Sequence, residues 1–466
     1  MRCQIVGSLA VRTLKRPTLK RVLVANRGEI ALRIIRACRK LNLETVAVYS
    51  QADDNCAHIW AADQAVCIGA TSAAKSYLDM SAILQAAVAT GCDALHPGYG
   101  FLSERAEFAA KCEAENITFV GPSAQSIVTM GDKAEARRTA KRFGVPLVPG
   151  SDGAFTDVAA AAEIAEMVGY PVLLKALAGG GGRGMRVAPD AGSFAALFTQ
   201  ASGEAQAAFG DGGIYLERFV PKVRHIEVQV FGDKHGRAVH LWERDCSVQR
   251  RHQKLIEEGP SPVLDAETRQ AICDAAVKLT EGISYVGAGT VEFIYDVSRG
   301  EFYFIEMNTR IQVEHPVTEM LTGIDLVAEQ LRVAAGERLS FSQDSVTTQG
   351  HAIEFRINAE DPSRGFMPTP GTLSKWRPPR MPGVRFDSHV SRGYAVPTYY
   401  DSLLGKLIVV GEDRNAAIAR ARFALDAFEV DGIATTLDFH RQVLAHPAFI
   451  DGSVHTRWVE TDFANA

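Results

Sequence analysis

Two β-rich runs near residue 300 constrain this chain most tightly, because side-chain alternation places acidic groups on one face of neighbouring strands. Thr290 to Val297 and Glu301 to Glu306 flank Ser298-Arg299-Gly300, which reads as a three-residue hairpin loop with glycine at its left-handed position. If Val297 pairs with Glu301, then Glu292 lies directly opposite Glu306. Cross-strand neighbours sit about 5 Å apart, and two carboxylates at that distance repel by about 3 kcal/mol at an effective dielectric near 20. The pattern therefore predicts a cation between them, and a hard divalent ion with bound phosphate, with Asn308 as a third oxygen ligand, meets the requirement.

From Ile305 onward, Glu306, Asn308, Arg310, Gln312 and Glu314 alternate with Met307, Thr309, Ile311 and Val313. A solvated strand face also alternates, but here one face is entirely polar while the other is largely apolar. On a straight strand Glu306 and Glu314 would be about 26 Å apart, too far for one site. A bend after about Arg310 is expected to return Gln312 and Glu314 toward the metal.

At 466 residues the chain has room for about three domains. A net charge of −5 argues against a nucleic-acid partner. No apolar run approaches the roughly 20 residues needed to span a membrane. The eight cysteines form no C-x-x-C pair and read as reduced thiols in a cytosol-like compartment. In the first twenty residues Arg2, Arg12, Lys15, Arg16 and Lys20 meet no acidic residue. That segment reads as a disordered basic tail, with an organellar targeting segment as the alternative.

Arg21 to Val24 is a short apolar strand breaking at Asn26-Arg27-Gly28 into an amphipathic helix through Leu41, and Thr45 to Tyr49 is a second strand. This βαβ opening lacks G-x-G-x-x-G. His96-Pro97-Gly98-Tyr99 falls at the carboxyl edge of a strand, where open α/β sheets bind ligands, so Tyr99 and Glu104 are candidate site residues. The alternation pauses at Gly131-Asp132-Lys133 before a basic helix.

The strand Tyr170 to Lys175 runs into Ala178-Gly179-Gly180-Gly181-Gly182-Arg183-Gly184. Glycines there leave backbone N–H groups free to wrap an anion, and Lys175 beside them suits a nucleotide's phosphates, although no Walker lysine follows. Arg244, Arg250, Arg251, His252 and Lys254 form a basic cluster that is expected to attract anions, unless it is a solvated surface. Helices are expected at Ala266 to Gly282, Val317 to Gly336 and Asn415 to Phe428.

With these residues in view, the chain resembles the biotin carboxylase family from about Arg21 to Glu460. The motifs are ANRGEIA at 25–31, HPGYGFLSE at 96–104, GGGGRGM at 179–185, ERDCSVQRRHQK at 243–254, FIEMNTRIQVEHPVTE at 304–319 and RINAEDP at 356–362. The resemblance implies an α/β, multidomain α+β chain. Residues 1–20 are the basic extension and 21–131 a Rossmann-like N-terminal domain. Residues 132–345 form an ATP-grasp domain with its Gly-rich flap subdomain at 148–221, and 346–461 a mixed α/β C-terminal domain.

It also implies roles, residue by residue. Lys133 and Lys175 would hold ATP phosphates, Gly181 and Gly182 belong to the flap, Glu217, Arg218, Phe219 and Val220 line the adenine pocket, and His225 and His252 join the nucleotide site. Glu292, Glu306 and Asn308 match magnesium or manganese ligands. Lys254, Arg310, Gln312 and Val313 match the bicarbonate site, Glu314 the general base and Arg356 the group on the biotin ureido oxygen, with Tyr99 nearby. Ala178 and Arg218 depart from the family's usual glycine and lysine.

The implied activity is ATP-dependent carboxylation of carrier-bound biotin from bicarbonate, within an acetyl-CoA carboxylase of fatty acid biosynthesis, with a propionyl-CoA, other acyl-CoA or 2-oxo acid carboxylase, and behind these another ATP-grasp ligase, as alternatives. No biotinyl-lysine motif occurs, so the expected partners are a separate biotin carboxyl carrier protein, carboxyltransferase subunits and a second copy of the chain. The expected location is the cytoplasm, or an organellar matrix if the basic tail is a targeting segment.

Overall fold

The computed structural model describes residues 19–176 and 185–463, so residues 1–18 of the basic tail and the glycine run with Gly181 and Gly182 lie outside the described residues, while Leu19 is buried and the Lys20 N–H donates to Asp93. The first strand, β1 (Arg21–Val24), is apolar and fully buried at Val22, Leu23 and Val24. It can be so because helix α1 (Gly28–Lys40) turns Ile30, Ile34, Ile35 and Cys38 inward over the sheet. The other strands are β2 (Glu44–Ser50), β3 (Gln64–Gly69), β4 (Ala94–His96) and β5 (Thr118–Phe119). All pair in parallel in the order β3-β2-β1-β4-β5, the topology of a doubly wound sheet.

After the basic helix α2 (Lys133–Arg142) comes a small unit of three antiparallel strands in the order β7-β6-β8. These are β6 (Val172–Ala176), β7 (Met185–Ala188) and β8 (Ile214–Arg218). Phe194 and Phe198 of helix α3 (Ala191–Phe209) pack on its buried Val172, Leu174 and Leu216.

The third sheet carries the site. It comprises β9 (Val223–Gly232), β10 (Ala238–Arg250), β11 (Gln253–Gly259), β12 (Gly287–Asp296), β13 (Glu301–Asn308), β14 (His351–Asn358), β15 (Val384–Ser388) and β16 (Leu403–Gly411). The strands are antiparallel neighbours in the order β13-β12-β9-β10-β11-β14-β16-β15. The sheet thus runs on past residue 345 without a break, through the pairing of β11 with β14.

Several expectations need correction. Asp296, not Val297, pairs with Glu301, so the hairpin loop has four residues, with Gly300 at φ +68°. A register shift between Phe293 and Glu292 then restores Glu292 opposite Glu306. The bulge absorbs the extra loop residue. The strand ends at Asn308, so Arg310, Gln312 and Glu314 lie in a loop rather than on a continued strand face. The expected helix over 317–336 is two helices, α4 (His315–Thr322) and α5 (Leu326–Ala334). Gly323 closes the first with φ +72°, and the Asp325 side chain caps the second by accepting from the Ala328 N–H.

The central sheet is locked to the C-terminal elements by Glu258, which His351 on β14 bonds at 2.8 Å and Arg414 at 2.6 Å. Burial alone would raise this carboxyl, but the His351 hydrogen bond and the Arg414 charge outweigh it and lower it to about 2. Because the folded value lies below the unfolded one of about 4.3, the stabilisation is present above about pH 4 and is lost as pH falls toward 2. Glu258→Gln should destabilise by about 3 kcal/mol near neutrality. Denaturant melts of both proteins should show this gap closing between about pH 5 and pH 2.

Candidate active site

A cavity of about 1050 Å3 opens between the three-stranded unit, the central sheet and the C-terminal strands. Its lining includes Tyr99, Lys133, Lys175, Glu217, His225, His252, Lys254, Glu292, Glu306, Asn308, Arg310, Gln312, Val313, Glu314 and Arg356. Most of the expected site residues are thereby brought to one place. Arg218, Phe219 and Val220 are not in that lining. The Arg218 guanidinium instead bonds Tyr303 at 3.0 Å and Glu301 at 3.1 Å, and the Phe219 N–H bonds the carbonyl of Pro171.

Strand alternation projects Glu227 on β9 and Glu292 on β12 from directly paired positions. Lys254, on β11, reaches across to both and to Glu314, with Glu292 at 3.3 Å and Glu314 at 2.7 Å. Lys254 thus joins Glu227, Glu292 and Glu314, and does not lie between Glu292 and Glu306 where the sequence pattern expects a cation. Burial pulls its ammonium pKa down, but Glu292 and Glu314 outweigh that and hold it above the ordinary lysine range. By the same balance, burial would raise Glu292 and Glu314. Lys254 and the hydrogen bond from His225 hold Glu292 well below the usual carboxylate range, and Lys254, Arg356 and Arg244 do the same for Glu314.

The basic cluster divides. Arg244 is fully buried and is no anion site, since it bonds Gln312 and Thr318 at 2.8 Å, Gln229 at 2.9 Å and Glu227 at 3.3 Å. Arg250 packs over the Phe366 ring on the far side of the hairpin, away from this cavity. Arg251 and His252 form the hairpin tip with φ +48° and +64°, and His252 together with Lys254 faces the cavity.

The expected bend is present, immediately after Asn308. Glu104 holds it by accepting the Thr309 N–H at 3.0 Å and Arg310 Nε at 2.8 Å. Past the bend, Gln312 Nε2 donates to Glu292 at 3.0 Å, and Glu314 meets Arg356 at 3.0 Å. The Val313 carbonyl accepts from Lys406 Nζ at 2.8 Å. Lys406, fully buried on β16, also pairs with Glu29 of α1 at 3.1 Å, and Glu29 accepts the Tyr99 hydroxyl. Sequence reasoning missed Lys406 and Glu29. A lone lysine within Leu403-Leu404-Gly405-Lys406-Leu407-Ile408 was the available signal, because a strand otherwise buried on both faces has no solvent to offer it.

Arg137 and Lys175 both pair with Glu217 at the nucleotide end of the cavity, Arg137 at 3.3 Å. Lys133 stands beside Glu306, 3.7 Å away and 87% exposed, so its charge is free for an incoming anion. As for a divalent ion, Glu292 and Glu306 are cross-strand partners facing the same cavity, with Asn308 beside them. This all-oxygen set fits magnesium or manganese. Among the described residues, the tightest clusters of potential ligand atoms are His225, Glu227 and Glu292, and Glu227, Cys246 and Glu314. Neither includes Glu306.

Family models match most of the chain. Residues 18–127 match the biotin carboxylase N-terminal domain, 132–342 the carbamoyl-phosphate synthase L chain ATP-binding domain, and 354–461 the biotin carboxylase C-terminal domain. A biotin carboxylase of Nostoc sp. is 53% identical over 94% of this chain and 98% of its own length. A pyruvate carboxylase subunit from Methanothermobacter thermautotrophicus is 48% identical over 94% of this chain and 89% of its own length. Among solved structures, the biotin carboxylase domain dimer of Hydrogenobacter thermophilus 2-oxoglutarate carboxylase, in complex with MgADP, ADP and bicarbonate, superposes with a TM-score of 0.85. It is 48% identical and covers 95% of this chain and 97% of that one. A cavity built from paired cations and carboxylates, on a fold and sequence shared with these enzymes, has one reading: the chain belongs to the biotin carboxylase family and is an ATP-grasp ligase.

Proposed function

We propose that this enzyme uses ATP and bicarbonate to carboxylate biotin on a separate carrier protein, as the first half-reaction of an acyl-CoA carboxylase. Acetyl-CoA is the preferred final acceptor. The observation that carries the reading is the convergence of Lys254, Glu292, Glu314 and Arg356 in one cavity. The likeness to the Nostoc enzyme over nearly its whole length supports a free-standing subunit. The likeness to pyruvate and 2-oxoglutarate carboxylase components supports a 2-oxo acid as the second choice of acceptor.

The residue roles are those the family resemblance implies, and the charges in the cavity support them. Lys133 and Lys175 meet the ATP phosphates, and Glu217 with the backbone of Arg218 to Val220 borders the adenine. His225 and His252 flank the nucleotide, and Gly181 and Gly182, outside the described residues, are the flap glycines by resemblance. Glu292, Glu306 and Asn308 would hold the divalent ion, which supplies charge neutralisation on the phosphates. Bicarbonate lies against Lys254, Arg310, Gln312 and the Val313 backbone.

In the free enzyme Glu314 is a weak base, because Lys254 and Arg356 neutralise it. An incoming anion that takes over part of the Lys254 charge, and sits beside Glu314 as a like charge, raises its proton affinity. Glu314 then removes the bicarbonate proton as the oxygen attacks the γ-phosphate, while Lys254 and Arg310 offset the developing charge. Carboxyphosphate breaks down to carbon dioxide and phosphate, and phosphate takes the N1′ proton of biotin. Arg356 stabilises the ureido oxygen while N1′ captures carbon dioxide, with Tyr99 bordering the ring.

The division at 21–131, 132–345 with flap 148–221, and 346–461 is part of this reading, supported by where the family models begin and end. So is a homodimer, which the dimeric 2-oxoglutarate carboxylase domain supports. A reducing cytoplasm-like location fits the free cysteines, six of the seven described being buried. No described helix is long and apolar enough to cross a membrane.

ADP release should require both bicarbonate and biotin, and equal turnover with biotin left out would count against the reading. Glu314→Gln should lower kcat by about 100-fold or more, with the KM for ATP little changed in steady-state assays. Lys406→Met should raise the KM for bicarbonate by about tenfold relative to that for ATP, because the Val313 carbonyl loses a charged donor.

A further inference from the structure

Directly beneath Arg356 lie two carboxyl groups that the reaction does not use. Glu257 on β11 and Glu354 on β14 are paired across the two strands, so their side chains project from the same face, about 5 Å apart at Cβ. Both are fully buried. Glu257 Oε1 accepts from Arg356 Nε at 2.6 Å, but its Oε2 has no partner, and neither oxygen of Glu354 has one. Two ionised carboxylates so placed would repel each other and leave three oxygens desolvated without a donor, which a folded interior does not sustain.

Among the described residues, the surroundings do not supply a second cation. Lys406 on β16 is committed to Glu29 and the Val313 carbonyl. Arg356 is shared between Glu257 and Glu314. From α4, Glu314 adds negative charge and the buried His315 is held well below its ordinary range by burial, hence neutral. Glu319 is taken by Arg33 and Arg385. On the helix Arg414–Asp426, which packs against β14, Arg414 is bound to Glu258.

We propose that Glu257 and Glu354 share one proton, carried by Glu354, and that this carboxyl pair is the support that positions Arg356. A single O–H donated from Glu354 to Glu257 Oε2 gives both residues a partner and leaves one neutral carbonyl oxygen of Glu354, far cheaper to bury than a carboxylate, without a donor. It leaves Glu257 the anion that Arg356 grips from below while its other edge faces Glu314. Burial and the neighbouring Glu257 hold the Glu354 carboxyl well above the ordinary range in spite of Lys406, and burial raises Glu257 less far against the opposing charge of Arg356. Glu354 therefore stays neutral to higher pH than an exposed glutamate, and where it does ionise Arg356 would lose its support. Glu354 is a positioning residue, and its effect on catalysis rests on the reading of Arg356 as the group that meets biotin.

The test uses the full chain with free biotin as probe. Infrared spectra at neutral pH should show a protonated-carboxyl band in the wild type that is absent from Glu354→Gln. The amide of that variant still donates to Glu257, so the KM for biotin should stay within about twofold of the wild type. In Glu354→Leu, which offers no donor, it should rise about fivefold or more, with the KM for ATP unmoved in both. As pH rises, the biotin KM should climb in the wild type and stay flat in Glu354→Gln. A merely structural role would lower the active fraction without separating the two KM values. The proposal is overturned if no carboxyl band disappears in Glu354→Gln, or if Glu354→Gln raises the biotin KM as much as Glu354→Leu. Should ADP release ignore biotin in every form of the protein, the assignment of Arg356 fails, and the infrared band still decides whether the proton is there.

Discussion

The buried guanidinium of Arg244 is the interaction on which the rest of the site depends. It sits where β9, β10, β12, α4 and the loop after β13 converge, and it spends its donors on Gln229, Thr318, Glu227 and Gln312. A charge so deep in the fold is tolerated only when it is paired and hydrogen-bonded. That requirement runs the other way as well. Because Gln312 must present its oxygen to Arg244, its amide nitrogen is turned toward Glu292, and the loop carrying Val313 and Glu314 is fixed over Lys254.

Around that anchor the site is arranged as a charge balance rather than as a set of independent ligands. Lys254 touches three carboxylates and Arg356 two, so each of these cations is shared and each of those carboxylates is held. An anion entering such an arrangement changes every partner's proton affinity at once. Preorganised cations of this kind stabilise developing charge without having to reorient when it appears. The exposed Lys133 and Glu306 are the exception, at the open end where nucleotide and metal would arrive.

Much of this was legible in the residues because alternation is a local property. The Glu292–Glu306 pairing and the bend follow from a period of two and a length limit, whereas the convergence of Lys254 with Glu314 is implied only by the family resemblance. What was not legible depends on distant partners. The hairpin register differs by one residue from the expected one, and the bulge beside Glu292 compensates for it. The apolar period through 317–336 looks continuous because Gly323 interrupts it by backbone conformation rather than by polarity. Arg244 reads as one more cation of a basic cluster, since composition does not reveal whether a strand charge faces inward. Lys406 and Glu29, almost 380 positions apart in the chain, have no local sign of meeting.

The Lys406 contact has a consequence for how the protein comes into being. The strand Leu403–Gly411 is synthesised after every cavity residue up to Arg356, yet it supplies the ammonium that pins the Val313 carbonyl and neutralises Glu29 in helix α1. A nascent chain that already carries every lysine and carboxylate of the cavity up to Arg356 therefore still lacks the tether that sets the loop. The loop of the cavity is fixed only once the strand carrying Lys406 has docked against helix α1.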